Sequence, residues 1–269
     1  DYRSRGRDRH VPEIYAALVK SVEETGRGTY HFSRPVHRIE RRPEGILATD
    51  EQGDTERFDA LVFACPADVA LRTLANPSFR ERRVLGAVQY FHDITVTHTD
   101  REYMERYYEL DDTRRDQYFI RTYPDSTDRI EMSFDLSHYQ PQLEQSVYQT
   151  IFLDRDHDEH RWTLDEINPD KVLFSKPWIQ FSHTWQHYVR AVPWLRFLQG
   201  RNRTYFAGSW TLANTHEVAT ISGFAAAHRL GAAYPLSHDE LALEQFETYL
   251  SVVHGQTLKT SAPSPVEGD

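Results

Sequence analysis

The stretch that decides the fold reads Tyr205-Phe206-Ala207-Gly208-Ser209-Trp210 and, after four more residues, Thr215-His216-Glu217-Val218-Ala219-Thr220-Ile221-Ser222-Gly223-Phe224-Ala225-Ala226-Ala227. It predicts a strand, a glycine turn, a short loop and a helix rich in glycine and alanine. Because Gly208 has no side chain, a ligand can approach the backbone there. Unpaired N–H groups near Val218 and Ala219 at the helix start carry partial positive charge, which can stabilise negative charge on a ligand. The alternative interpretation is a helix that simply packs closely on a sheet.

The rest of the chain predicts a mixture of helices and strands. A helix ahead of Gly26 is followed by a β-rich stretch over 31–58 and by the apolar run 59–66, which is typical of a buried strand in an α/β sheet. Alternating residues at 94–98 and 129–134 predict an antiparallel layer with solvent on one face. Further predicted elements are a partial helix at 184–198, a helix at 238–253 and a disordered tail from Gly255.

The composition argues against several classes of protein. The 269 residues include 31 Lys and Arg and 41 Asp and Glu, a formal charge of −10, which argues against a general nucleic-acid or anionic-membrane binder. The single cysteine, Cys65, excludes a disulfide framework and a Cys-based zinc site, and a buried, inert thiol is its favoured interpretation. Since no apolar run approaches the roughly 20 residues that cross a bilayer, we expect no transmembrane segment. The expected location is the cytoplasm.

The motifs of common active sites are missing from the sequence. It contains neither a P-loop nor a GxGxxG fingerprint, and no Gly-x-Ser-x-Gly elbow supports a Ser/His/Asp triad. The run His157–His160 contains metal-ligand residue types, but it lies in a stretch of mixed charge for which a solvated loop is favoured. His183 and His187 have a spacing that zinc sites use, yet two ligands fall short of the usual three or four. We therefore predict no metal site.

Three parts of the sequence resemble the flavin-containing amine oxidase superfamily. The 205–227 stretch is similar to its C-terminal flavin-binding motif, which reads approximately Phe-Ala-Gly-Asp, a Glu, then Ser-Gly and paired alanines. Residues 34–39 with 58–66 resemble the strand pair that closes the FAD domain in these enzymes. The sequence also resembles a subgroup of amine-oxidase-like NAD/FAD-binding proteins, at Asn168-Pro169, His183, Leu198-Gln199-Gly200 and His216-Glu217.

The resemblance implies an α/β fold that is the C-terminal part of an FAD/NAD(P)-binding, amine-oxidase-like fold with an antiparallel substrate-domain sheet. The implied domains are 1–80 for the closing part of the FAD-binding domain, 81–200 for the substrate domain, 201–254 for the last FAD-domain strand and helices, and 255–269 for the disordered tail. Since the chain opens at Asp1 and lacks GxGxxG, we expect an N-terminal FAD-binding portion to exist as a second chain or a cleaved segment.

The resemblance also implies a set of residues around FAD. Val36 is expected at its adenine end, Gly208 and Ser209 at the ribityl–phosphate region, and the N–H groups of Val218 and Ala219 at the pyrimidine side of the ring. Glu217 matches the glutamate of the motif, whereas Ser209 departs from the more usual acidic residue, which puts one polar contact in doubt. His183 and His216 are the candidate catalytic groups on the substrate side. Ordinary surface or core histidines are the alternative interpretation of both.

The resulting functional hypothesis is an FAD-dependent oxidoreductase that removes a hydride from a C–N or C–C centre of a small organic substrate. Two alternatives remain open. The first keeps the flavin but isomerises a double bond of an unsaturated lipid without net redox change. The second is a non-catalytic subunit that kept the fold, which the missing phosphate loop and Ser209 favour.

Overall fold

A computed structural model describes residues 11–110, 117–140 and 142–258. The chain forms two compact units. Within the described ranges, the first comprises the residues up to Asp59 together with Thr73–Asn76, and the second comprises Ala60–Arg72 and the residues from Pro77 onward. The two units differ in which parts of the backbone contact each other, and this division says nothing about function. The functional boundaries predicted at 80, 200 and 254 therefore remain predictions. The tail from residue 259 lies outside the described residues.

The described part of the first unit, from Val11 onward, contains one helix and one antiparallel sheet. The helix is α1 (Val11–Glu24), and the strands β1 (Val36–Arg42), β2 (Gly45–Asp50) and β3 (Thr55–Phe58) follow one another as two hairpins. Leu74 joins this unit through a bridge to Ile39, which is buried. The predicted helix and β-rich stretch are therefore confirmed.

The second unit contains a pair of parallel strands. The apolar run predicted as a buried strand forms β4 (Leu61–Phe63), and its partner β10 (Thr204–Phe206) comes about 140 residues later. The rings of Phe63 and Phe206 stack with their centres 5.6 Å apart. Two helices of the second unit are α8 (His216–Arg229) and α9 (Glu240–Tyr249). The strand–turn–helix pattern predicted from the 205–227 stretch is confirmed.

A five-stranded antiparallel sheet forms the predicted second layer. Its strands are β5 (Tyr90–His98), β6 (Tyr118–Tyr123), β7 (Ser126–Asp135), β8 (Tyr148–Ile151) and β9 (Val172–Phe181). Across the sheet they lie in the order β6-β7-β8-β5-β9. One face packs on α4 (Arg101–Tyr107) around Val96, Met104 and Phe152. The other face exposes apolar side chains, among them Ile120 and Phe174. Mixed α/β architecture with an antiparallel sheet agrees with the predicted fold class.

Short helical segments complete the described chain. They are α2 (Ala67–Thr73), α3 (Phe79–Leu85), α5 (Leu136–Tyr139), α6 (Arg155–Asp158), α7 (Val192–Leu195), 3-10 turns at Glu159–Arg161, Leu164–Glu166, Pro169–Lys171, Arg201–Arg203 and Ser209–Thr211, and π turns at His187–Ala191 and Leu250–His254. The stretch around His157, predicted as a solvated loop, is mostly exposed, but it forms α6 and the following 3-10 turn instead of a loop. Buried Asp154 and Asp158 hold the segment through His157 and Arg129 respectively.

Candidate cofactor-binding cleft

The carboxyl ends of the two parallel strands open into a cleft of about 290 Å³ in the second unit. Ala64, Cys65 and Pro66 follow β4, while Gly208 and Ser209 follow β10, and all five line this space. Ligands of α/β proteins bind outside the carboxyl ends of parallel strands, because there the loops diverge and the backbone is accessible. Small side chains at these strand ends leave room for a flat ligand.

The turn at Gly208 has one conformation that several contacts fix. Its φ of +125° favours glycine, and a Cβ at this position would lie 3.1 Å from the Trp210 indole. The Gly208 N–H donates to the Ser222 hydroxyl of α8 at 2.7 Å. The Trp210 indole N–H donates to the Cys65 carbonyl at 3.0 Å. The end of β10 is therefore bound both to α8 and to the end of β4.

Thr215 caps the amino end of α8. Its side-chain oxygen accepts a hydrogen bond from the Val218 N–H at 3.1 Å, and its carbonyl accepts one from the Ala219 N–H at 3.2 Å. Both N–H groups that the sequence resemblance directs to the flavin thus have a partner within the chain. Ala219 nevertheless lines the cleft, so the positive end of the helix dipole lies beside it. The contact of these N–H groups with a flavin stays a prediction.

The structure brings some of the other predicted site residues together. Ser209 lines the cleft, and Nε2 of His183 accepts a 2.8 Å hydrogen bond from the N–H of Asn214, which also lines it. Burial lowers the pKa of His183, so the ring is neutral at physiological pH. His216 and Glu217 begin α8 as exposed residues. Their roles stay predictions.

Val36 belongs to the first unit, where it begins β1 and is exposed. The structure describes this residue within its own sheet, and its expected contact with the adenine end of a cofactor likewise stays a prediction.

Aromatic side chains complete the cleft, together with Gln180 and Asp93, two polar residues that the sequence did not single out. Tyr90 and Trp178 belong to the five-stranded sheet, and the Tyr90 hydroxyl accepts a 2.7 Å hydrogen bond from the Ala67 N–H at the start of α2. Gln180 lines the cleft beside them and donates to the buried Asp93 carboxylate. An acidic residue inside the apolar strand Tyr90–His98 is the signal that could have identified Asp93.

Comparison with known proteins identifies the family. The model of the flavin-containing amine oxidoreductases matches residues 6–231. The chain belongs to this family. Membership implies a flavin cofactor, and it explains the similarity of the 205–227 stretch to a flavin-binding motif. No curated protein matches the sequence.

Two solved structures are similar to part of the chain. One is a CLA-producing fatty acid isomerase from P. acnes, with 16% identity and a TM-score of 0.49 over 77% of this chain and 49% of that chain. Another, from Exiguobacterium sp. 255-15, is described as a protoporphyrinogen oxidase, with 12% identity and a TM-score of 0.49 over 77% of this chain and 48% of that one. The present chain thus spans about half the length of either.

The residues around the cleft fit one side of a flavin. Ala64, Gly208 and Ala219 leave space for a planar ring, and the positive end of α8 lies beside that space. The sequence offers no glycine-rich loop for a pyrophosphate. Across the described ranges, no group of three or more His, Cys, Asp or Glu side chains is placed to hold a metal ion. Nor does any helix in these ranges have the length and apolarity that a bilayer crossing requires.

Proposed function

We propose that this chain binds the ring side of FAD in the cleft and acts within an FAD-dependent oxidoreductase that removes a hydride from a C–N or C–C centre of a small organic substrate. The observation that carries this proposal is the cleft itself, at the carboxyl ends of two parallel strands and beside the amino end of α8. When bound, FAD supplies the hydride-accepting chemistry.

The chain's own residues position ligands and hold protons. The hydrogen bond from Trp210 to Cys65 keeps the ends of β4 and β10 together beside the proposed position of the flavin ring. Trp178 provides an aromatic wall, which suits the apolar body of a substrate. Burial raises the pKa of Tyr90 to about 12, so its hydroxyl keeps its proton at neutral pH. Neutral His183 holds the loop that carries Asn214 at the edge of the cleft.

The absorption spectrum of the purified protein, together with any partner that co-purifies, tests the cofactor. We expect flavin bands, and after denaturation and filtration the released pigment should co-elute with FAD rather than FMN on chromatography. A colourless protein that takes up no added FAD would contradict the proposal and favour a non-catalytic subunit that kept the fold.

We further propose that a separate N-terminal FAD-binding portion, as a second chain or a cleaved segment, completes the cofactor site. The parallel pair β4–β10 has only three residues in each strand, whereas parallel sheets are usually larger and covered on both faces. In the first unit, α1 exposes the apolar side chains of Ile14 and Leu18. Native mass spectrometry of the protein from its own cells should reveal a second polypeptide with a GxGxxG sequence. A single chain that binds FAD tightly by itself would contradict this.

A redox-neutral isomerase of unsaturated lipids is the second candidate function. The exposed apolar face of the five-stranded sheet, with Ile120, Ile130 and Phe174, favours a long apolar substrate. Incubation of the flavin-loaded protein with an unsaturated fatty acid in the absence of an electron acceptor distinguishes the two reactions. A shifted double bond supports the isomerase, whereas oxidation of an amine with reduction of an acceptor supports the oxidoreductase.

A cytoplasmic location is part of the proposal, and cell fractionation tests it.

A further inference from the structure

Three side chains form a hydrogen-bonded series along one wall of the cleft. Gln180, near the end of β9, donates from Nε2 to Oδ2 of Asp93 on β5. Asn214, in the loop before α8, donates from Nδ2 to Oε1 of Gln180 at 2.9 Å. Gln180 and Asn214 both line the cleft, while Asp93 is 7% exposed. The series therefore connects a buried carboxylate with two amides that a ligand can contact.

Asp93 has an environment that is costly for a carboxylate. Gln180 provides its hydrogen bond, and no ion pair with Asp93 is found in the part of the chain that the structure describes. The neighbouring His92 bonds instead to Asp156 at 2.7 Å, on the opposite side of the strand. A buried charge without a cation is unfavourable, so folding alone does not account for a carboxylate here.

The carboxylate determines which way both amides point. An ionised carboxylate only accepts hydrogen bonds, so the Gln180 amide must turn its NH2 group to Asp93 and its oxygen to Asn214. Asn214 must then turn its own NH2 group to Gln180. The backbone N–H of Asn214 is held by His183 at 2.8 Å. Within the described ranges, nothing donates to the Asn214 side-chain oxygen.

We propose that Asp93 is a positioning residue which, through Gln180, makes Asn214 present its carbonyl oxygen to the cleft, so that the site selects a substrate whose polar group donates hydrogen bonds. This deepens the proposed function and rests on the cleft being the substrate side of the flavin site. The combination of the free Asn214 oxygen with a buried negative charge suits an amine and disfavours a carboxylate.

Lys176 is a cation on the same strand as Gln180, so its effect on ligand binding requires a control. It lies on β9 opposite Thr95, two residues beyond Asp93 along β5, and its side chain is exposed. A carboxylate ligand bound by Lys176 would reverse the expected selectivity. The variant Lys176→Gln therefore measures whether any carboxylate binding comes from this side chain.

The test compares two probes of equal length, hexylamine and hexanoate. Their dissociation constants are measured by tryptophan fluorescence on the full chain with whatever flavin and partner co-purify, and flavin content is recorded from the same samples. We expect hexylamine to bind at least about tenfold more tightly than hexanoate. In Asp93→Asn, whose amide can both donate and accept, both neighbouring amides can reverse, and the ratio of the two constants should fall toward one.

Two further variants keep the test independent of folding. Asn214→Ala changes an exposed residue and should also abolish the preference for hexylamine, whereas Asp156→Asn should leave the ratio unchanged. Equal binding of the two probes by the wild-type chain, or an unchanged ratio in both Asp93→Asn and Asn214→Ala, would overturn the inference. Preference for hexanoate that is lost in Lys176→Gln would overturn it as well. Selective amine binding by a protein without flavin would contradict the proposed function but support the role of Asp93.

Discussion

The indole N–H of Trp210 donates a 3.0 Å hydrogen bond to the carbonyl oxygen of Cys65, which lies 145 residues earlier in the chain. This bond connects the segment after β4 with the turn after β10, and both residues line the cleft. The indole is almost fully buried and meets the Phe206 ring edge-on, with ring centres 6.4 Å apart. Trp210 therefore determines how the two strand ends are spaced.

Replacing Trp210 by Phe should loosen the cleft. The change removes the hydrogen bond to Cys65 and leaves a gap where the larger ring packed, so we expect a loss of about 2 kcal/mol in the free energy of unfolding. Denaturant titration measures this, and flavin retention on gel filtration should fall in parallel. Trp194→Phe is the control, because the exposed Trp194 makes the same kind of bond, to the Val189 carbonyl at 3.1 Å. An equal loss in the two variants would contradict the role of Trp210.

Replacing Gly208 by Ala should destabilise the turn for two reasons. The backbone has a φ of +125°, and the added Cβ would lie 3.1 Å from the Trp210 ring, so we expect a cost of about 2–3 kcal/mol. Gly53→Ala separates the two causes, since Gly53 also has positive φ, +91°, but no atom within 4 Å of the added Cβ. Thermal unfolding of both variants should show a larger loss for Gly208→Ala. Equal losses would mean that the contact with Trp210 is unimportant.

Local sequence signals were sufficient to predict the Gly208 turn and the helix after it. Glycine, the small apolar residues that follow and their spacing all act within a few residues of each other. Thr215 is a preferred N-cap residue type, so the loss of the free Val218 N–H could also have been predicted from the sequence. Its hydroxyl is the partner of this N–H group within the chain.

The polar wall of the cleft could not be predicted in this way. Asp93 and Gln180 are 87 residues apart and meet because β5 and β9 pair with Asp93 opposite Trp178 and Phe91 opposite Gln180. A shift of this register by one residue would move Gln180 to the other face of the sheet. Such pairing depends on the packing of the whole layer rather than on the residues around either side chain.

Removing the N-cap side chain of α8 should lower the free energy of unfolding more than removing a similar side chain one turn later. Thr215→Ala leaves the Val218 N–H without its 3.1 Å partner, so we expect a loss of about 1 kcal/mol. Thr220→Ala removes a hydroxyl that bonds to the His216 carbonyl inside the helix, and its effect should stay within about 0.5 kcal/mol. Urea unfolding measures both values. Destabilisation by Thr220→Ala that equals that of Thr215→Ala would show that the cap contributes nothing specific.

The Asp93 carboxylate should make the protein less stable as the pH rises. Burial raises the pKa of Asp93 to about 6 from the ordinary value of 3.8, so between these values the folded state binds more protons than the unfolded state. Stability from this group is therefore lost as pH rises from about 4 to 6 and stays lost above that range, by up to about 3 kcal/mol.

Asp93→Asn removes this titration. Its free energy of unfolding in urea should therefore exceed that of the wild type by more at pH 7 than at pH 4.5. Asp156→Asn provides the opposite sign. The hydrogen bond from His92 lowers the pKa of Asp156, so its carboxylate stabilises the fold above the ordinary Asp pKa, and this contribution is lost as pH falls through the lowered value. Asp156→Asn should therefore cost more at pH 7 than near pH 3. If the difference between wild type and Asp93→Asn were the same at pH 4.5 and pH 7, the carboxylate would have to be as well solvated in the folded chain as in the unfolded one.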